Sequence, residues 1–124
     1  MFKLKTKWLN KWANKNNVSD KNLLEAINNL EAGLSTVSLG SGLFKVRVAI
    51  NSGGIRTIIV YKQNDRAVIV YGFAKNEKDN LSKPELLALK ALSKDILKQN
   101  RESLELAIKN NIFIPIKESK WEIQ

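Results

Sequence analysis

Three short runs of β-branched and aromatic residues, separated by turns too brief to hold a crossover, constrain this chain more than any other feature. Between Leu43 and Ser82, the runs Phe44–Ile50, Ile55–Tyr61 and Ala67–Phe73 are rich in Val, Ile, Tyr and Phe, and the intervening segments Asn51–Gly54 and Lys62–Asp65 are turn chemistry. Connections this short join antiparallel neighbours, because a parallel return needs a long crossover. Side chains alternate along a strand, so Phe44, Val46, Val48 and Ile50 fall on one face of the first run while Lys45 and Arg47 fall on the other. One face is a core face and the other carries cations. Arg56 opens the second run, and Lys75 and Lys78 follow the third, so further positive charge gathers where the sheet ends.

The flanking segments read as helices that cover this sheet. Phe2–Lys5 alternates as a short edge strand, and Thr6 is placed to cap a helix over Lys7–Asn16 in which Trp8, Leu9, Trp12 and Ala13 form one apolar stripe. Ser19 caps a second helix bearing Leu23, Leu24, Ile27, Leu30 and Leu34, with Gly33 as its stop. Ser35–Gly42 reads as a loop. Ser82, Lys83, Pro84 and Glu85 form a capping box with an early proline, starting a helix through Leu89 and Ile96 to about Asn100. A second cap at Ser103 starts a short helix, and Ile112–Ile116 reads as a last strand that Pro115 confines to an edge. The expectation is a single α+β domain over residues 1–124: a helical hairpin on a small antiparallel sheet, a C-terminal helix, and a helix–strand extension from residue 101.

Charge and composition narrow the chemistry. The chain has no Cys and no His, which removes thiol and Ser/His nucleophile arrangements and nearly all zinc sites. Its net charge of +9 lies wholly in the first hundred residues, since Arg101, Lys109, Lys117 and Lys120 are matched by Glu102, Glu105, Glu118 and Glu122. Such a field favours a polyanionic partner, although a lysine-rich surface also serves solubility alone. No apolar run is long enough to span a bilayer, and the basic N-terminus lacks the continuous apolar segment of a signal peptide. A cytoplasmic protein is the simplest expectation. Trp8 and Trp12 stand among lysines, as bases-stacking residues do, but their helical spacing favours packing.

Leu43–Arg47, Ile55–Ile59 and Gly72–Leu81, in this order, resemble the three sequence blocks of RelE/ParE-superfamily toxins, and the Gly72–Leu81 block is closest to the HigB/RelE-type branch. The resemblance covers most of residues 1–100. It implies the toxin of a type II toxin–antitoxin pair, a metal- and cofactor-independent endoribonuclease acting on mRNA at the ribosome. It also implies a cognate antitoxin of helix-turn-helix type, with operator DNA reached only through that antitoxin. Carried over by motif, the residues around the scissile phosphate are Lys45, Arg47, Arg56 and Lys75 as catalytic groups, with Phe73, Asn76 and Lys78 contacting RNA. Asn76 stands where some relatives have arginine, and Ser82 where others have tyrosine.

These residue types suit that chemistry. Attack of a ribose 2′-hydroxyl on the adjacent phosphate builds negative charge on the phosphoryl oxygens, which fixed cations stabilise. Arginine offers a permanently charged fork of donors, and a lysine crowded by arginines, Lys45 or Lys75, is a candidate proton shuttle. Phe73 is either a base-stacking ring or core. Lys62 and Arg66 are expected at a solvated hairpin tip, and Glu77 and Asp79 in pairs with Lys75 and Lys78 or facing solvent. Two other functions fit the same sequence: a ParE-like, non-enzymatic inhibitor of DNA gyrase, and a non-catalytic RNA-binding module.

Overall fold

The computed structural model describes residues 1–50 and 53–118, so Asn51 and Ser52 of the first expected turn and the tail from residue 119 lie outside the described residues. The elements run β1 (Phe2–Thr6), α1 (Lys7–Lys15), α2 (Asp20–Ala32), β2 (Thr36–Gly40), β3 (Leu43–Val48), β4 (Ile55–Lys62), β5 (Arg66–Ala74), α3 (Lys83–Lys98), α4 (Arg101–Lys109) and β6 (Phe113–Pro115). They build a six-stranded sheet in the order β2-β3-β4-β5-β1-β6. β1 runs parallel to β5, and the other pairings are antiparallel. Among the described residues no helix is long and apolar enough to cross a membrane.

Local chemistry sets the helix starts. The Thr6 hydroxyl accepts from Leu9 N at 3.1 Å, and Ser19 and Ser82 each close a reciprocal capping box, with Asn22 and Glu85 respectively. Gly33 ends α2 in the left-handed region at φ 71°, a conformation that costs glycine nothing. For α4 the expected cap moves: Asn100 is the N-cap and its side chain accepts from Ser103 N at 2.8 Å, leaving Ser103 inside the first turn.

The sheet is larger than expected and covered on both sides. On one face α1 and α2 bury Leu9, Ala13, Leu23, Ile27 and Leu30 against Val46, Val48, Ile59 and Ile69. On the other, α3 and α4 bury Leu89, Ile96, Leu104 and Ala107 against Leu4, Leu43, Ile58, Val60 and Val68. Covering two faces needs the C-terminal segment, so residues 101–116 complete the core rather than extend it. β6 also pairs with β1, which moves β1 from the expected edge to the interior and leaves Pro115 on the outermost strand. The expected loop Ser35–Gly42 contains β2, an edge strand that pairs with β3 although Val37 stays 53 % exposed. It lies along the free edge of β3, with only a short Val37/Leu39 alternation of its own.

Arg66, expected at a solvated tip, is 2 % exposed. Its guanidinium donates to Asp65 Oδ1 at 2.7 Å and to the carbonyls of Ile96 at 2.8 Å and Gln99 at 2.5 Å. Those carbonyls belong to the last turn of α3 and its C-cap, where a cation also meets the negative end of the helix dipole. Arg66→Ala would leave these acceptors unpaired in the interior and should destabilise the fold by roughly 3 kcal/mol. Urea unfolding tests this: the midpoint should fall with little change in slope. An unchanged midpoint would mean that the bracket contributes nothing.

Candidate functional site

Register turns the sequence alternation into rows across the sheet. Arg47 pairs with Arg56, and Arg56 with Phe73; Lys45 pairs with Ile58, and Ile58 with Tyr71. The two rows are adjacent on the α3 face. Directly opposed side chains on an antiparallel pair stand about 5 Å apart at Cβ, so two guanidinium groups share one patch and repel each other. Arg47 is exposed, while Lys45 and Arg56 are half-buried.

No salt bridge among the described residues includes Lys45, Arg47, Arg56 or Lys75. Arg56 Nη1 is buried with no hydrogen-bond partner, a condition that costs stability unless a ligand meets it. Lys45 Nζ donates to Asn80 Oδ1 at 3.3 Å, joining β3 to the loop after β5.

An irregularity in the β4–β5 ladder determines which aromatic residues reach this face. Ile58 pairs with Tyr71 but Ile59 with Ile69, so Val70 is an extra residue on β5. The shift sends Tyr71 and Phe73 to the arginine face and Gly72 to the opposite one. There a Cβ on Gly72 would stand 2.6 Å from Trp12 Cζ3, so only glycine lets the indole lie on the strand. Trp12 thus packs as expected.

Beyond Ala74 the chain turns through Lys75, Asn76 and Glu77, all exposed, at the same end of the sheet as Arg47 and Arg56. Lys75 N donates to Gly54 O at 3.5 Å, and the amides of Glu77 and Lys78 both donate to Ala74 O at 3.1 Å. Lys78 is not a free cation. Its ammonium pairs with both oxygens of Glu85 and lies 5.7 Å from the centre of the Tyr71 ring. Glu85 also accepts from the Tyr71 hydroxyl at 2.9 Å and from Ser82 N at 2.8 Å.

The Lys78 ammonium, then the cap hydrogen bond, hold the Glu85 carboxyl down to about 2. The same carboxylate raises Lys78, and burial followed by the bond to Glu85 raises Tyr71, which therefore keeps its proton.

Of the residues expected at the site, Lys45, Arg47 and Arg56 come together, and Lys75 and Asn76 border them from the turn. Phe73 is 5 % exposed in the core beneath α3, which corrects its reading as a base-stacking ring. Lys78 is committed to Glu85, which displaces the expected pairing with Glu77 or Asp79; both of those carboxylates are exposed and join no salt bridge among the described residues. Tyr71, Glu85 and the exposed Trp8 are additions. Tyr71 lies two residues before Phe73 and shares its face, and only the displaced Val70 reveals that this is the arginine face. Chemically, the arrangement could hold an anion between guanidinium groups that no carboxylate among the described residues neutralises, framed by a loop that a separate ion pair holds in place.

A family model described as the RelE toxin of the RelE / RelB toxin-antitoxin system matches residues 1–116. No curated protein matches the sequence.

The loop tether should be pH-dependent with a defined sign. Glu85 is held below its ordinary value of 4.5, so its contribution is complete above about pH 5 and is lost as pH falls toward 2. Amide exchange across residues 75–82 should accelerate through that window. In Glu85→Gln, exchange should already be fast at neutral pH and flat on acidification. Equal protection in both proteins at pH 7 would show that Glu85 does not hold the loop.

Proposed function

Because the chain belongs to the RelE toxin family, the toxin half of a toxin–antitoxin pair whose counterpart is a RelB-type antitoxin, we propose that it is an endoribonuclease that cuts mRNA on the ribosome. The observation that carries this reading is the Arg47–Arg56 pair: two guanidinium groups opposed across β3 and β4, without a carboxylate, one of them with a buried and unbonded nitrogen. A fold that keeps such a repulsive pair bears a cost that a bound phosphodiester would relieve.

The substrate's 2′-hydroxyl gives up its proton to solvent as it attacks the adjacent phosphorus. The new bond to that oxygen forms as the bond to the 5′-oxygen breaks, and charge accumulates on the non-bridging oxygens. Arg47 and Arg56 meet that charge with fixed donors, which cost no reorganisation during the reaction. The leaving 5′-oxygen takes a proton from a cationic side chain, Lys45 or Lys75. Lys45, steadied by Asn80, approaches from the sheet, and Lys75 approaches from the turn beyond Ala74. Asn76 beside it is placed to contact the RNA backbone.

The neutralising antitoxin would have to cover or distort this cationic face.

Primer extension on cellular mRNA after brief induction tests the reading, with wild type beside Arg47→Ala, Arg56→Met and the double Ala variant at equal abundance. Wild type should cut inside translated reading frames. Each single variant should lose activity by at least ~100-fold, the usual effect of removing one transition-state donor. Arg56→Met should also unfold at higher urea, by about 1 kcal/mol, because it removes a like-charge pair and an unbonded buried donor. Growth arrest without cuts would overturn the reading in favour of a gyrase-directed toxin.

A further inference from the structure

Trp8 and Tyr71 form a flat aromatic step beside the arginine row that the cleavage chemistry leaves unused. Their rings stack at 4.7 Å and 19°, and Trp8 also lies parallel to Trp12 at 6.4 Å and 8°. The Tyr71 ring is itself held, by its hydroxyl on Glu85 and by the Lys78 ammonium near its face. Trp8 nevertheless remains 48 % exposed, although Leu9 and Ala13 of the same helix are buried. A single exposed apolar side chain is ordinary. This ring differs in that its plane is fixed before any ligand arrives.

The surroundings favour one kind of ligand. Lys7, Lys11 and Lys15 recur at every fourth position of α1, so they form one row beside the Trp8–Trp12 row, and all three are exposed. The helix contains no acidic residue, and none of these lysines joins a salt bridge among the described residues. Tyr71 lies diagonal to Arg56 across β4 and β5, a separation of about 7 Å at the backbone. An aromatic face bordered by unpaired cations, next to a phosphate site, is the usual composition of a single-stranded RNA platform.

We infer that Trp8, backed by Tyr71, stacks on a nucleobase of the RNA strand a nucleotide or two from the phosphate held by Arg47 and Arg56. Lys7 and Lys11 take the adjoining backbone phosphates. The inference rests on the RNA-cleaving reading and adds to it a contact that selects and orients the strand without touching the reacting atoms. Trp8 is therefore a positioning residue.

The test is cleavage of mRNA on programmed ribosomes, using an intact message and messages with one abasic nucleotide at successive positions around the cut. Trp8→Ala should slow cleavage of the intact message about tenfold through KM rather than kcat, and Trp8→Phe should restore most of the loss. At one abasic position wild type should lose the same tenfold, and there Trp8→Ala should add nothing further. Wild-type cleavage with no effect of Trp8→Ala, or with multiplicative losses at every abasic position, would overturn this inference alone. Failure of wild type to cut any message would overturn the cleavage reading and this one with it. If Trp8→Ala is poorly folded, Trp8→Phe and the abasic series in wild type still decide the matter: no position sensitive to base loss overturns the proposal.

Discussion

Helix α3 is pinned to the sheet at both ends by charge, and the face that carries the site depends on where those pins hold it. At its C-terminal end the buried Arg66 guanidinium gathers the carbonyls of Ile96 and Gln99. At its N-terminal end Glu85 closes the capping box while accepting from Tyr71 and Lys78. Leu89 and Ile96 pack between the pins. The helix therefore shields the rows that run through Leu43, Val60 and Val68, while Arg47 stays exposed in the outermost row. The Glu85 end also anchors the loop after β5. Core placement and site framing are consequences of the same two contacts.

The cations fall into two groups, and neutralisation separates them. Arg66 and Lys5 are buried with carboxylate partners, Asp65 and Asp20, and Lys78 is matched by Glu85. Removing such cations would leave a half-buried carboxylate without its partner, so their role is structural. Arg47, Arg56, Lys75 and the α1 lysines have no carboxylate among the described residues. The paired cations cancel against their carboxylates, so the net charge of +9 is carried by cations outside these pairs. Long-range attraction would draw a polyanion to the molecule, whereas the geometry of the arginine pair would set where one phosphate could sit.

Much of this was legible in the chain because local rules decided it. The turns between the strands, the caps at Thr6, Ser19 and Ser82, and the alternation that puts Lys45 and Arg47 on one face all follow from a few neighbouring residues. Arg56 joins them because it pairs with Arg47 in the β3–β4 register, which the hydrophobic alternation of both strands specifies. What the sequence concealed is tertiary. β2 pairs on the free edge of β3, and the short Val37/Leu39 alternation that marks it is obscured by Ser35, Gly40 and Gly42. Arg66 reads as a hairpin tip until α3 brings carbonyls to it from thirty residues away or more. The C-terminal segment reads as an appendage until β1 is seen to need a partner on its outer side.

The extra residue on β5 is the least legible feature and the one that most affects the site. Under strict alternation Gly72 would have shared the arginine face, with Tyr71 and Phe73 directed toward α1 and α2. Trp12 could not then lie on the strand, since any side chain there stands where its ring must be. One inserted residue resolves both demands: glycine meets the indole, and two aromatic residues turn to the cationic face. Of those two, α3 buries Phe73, and Tyr71 remains at the margin against Trp8. A reading that stops at the aromatic beside the arginine row therefore selects the ring the core has already taken. The ring that solvent can reach is Trp8 of α1, whose lysine neighbours suggest stacking while its helical spacing points to packing.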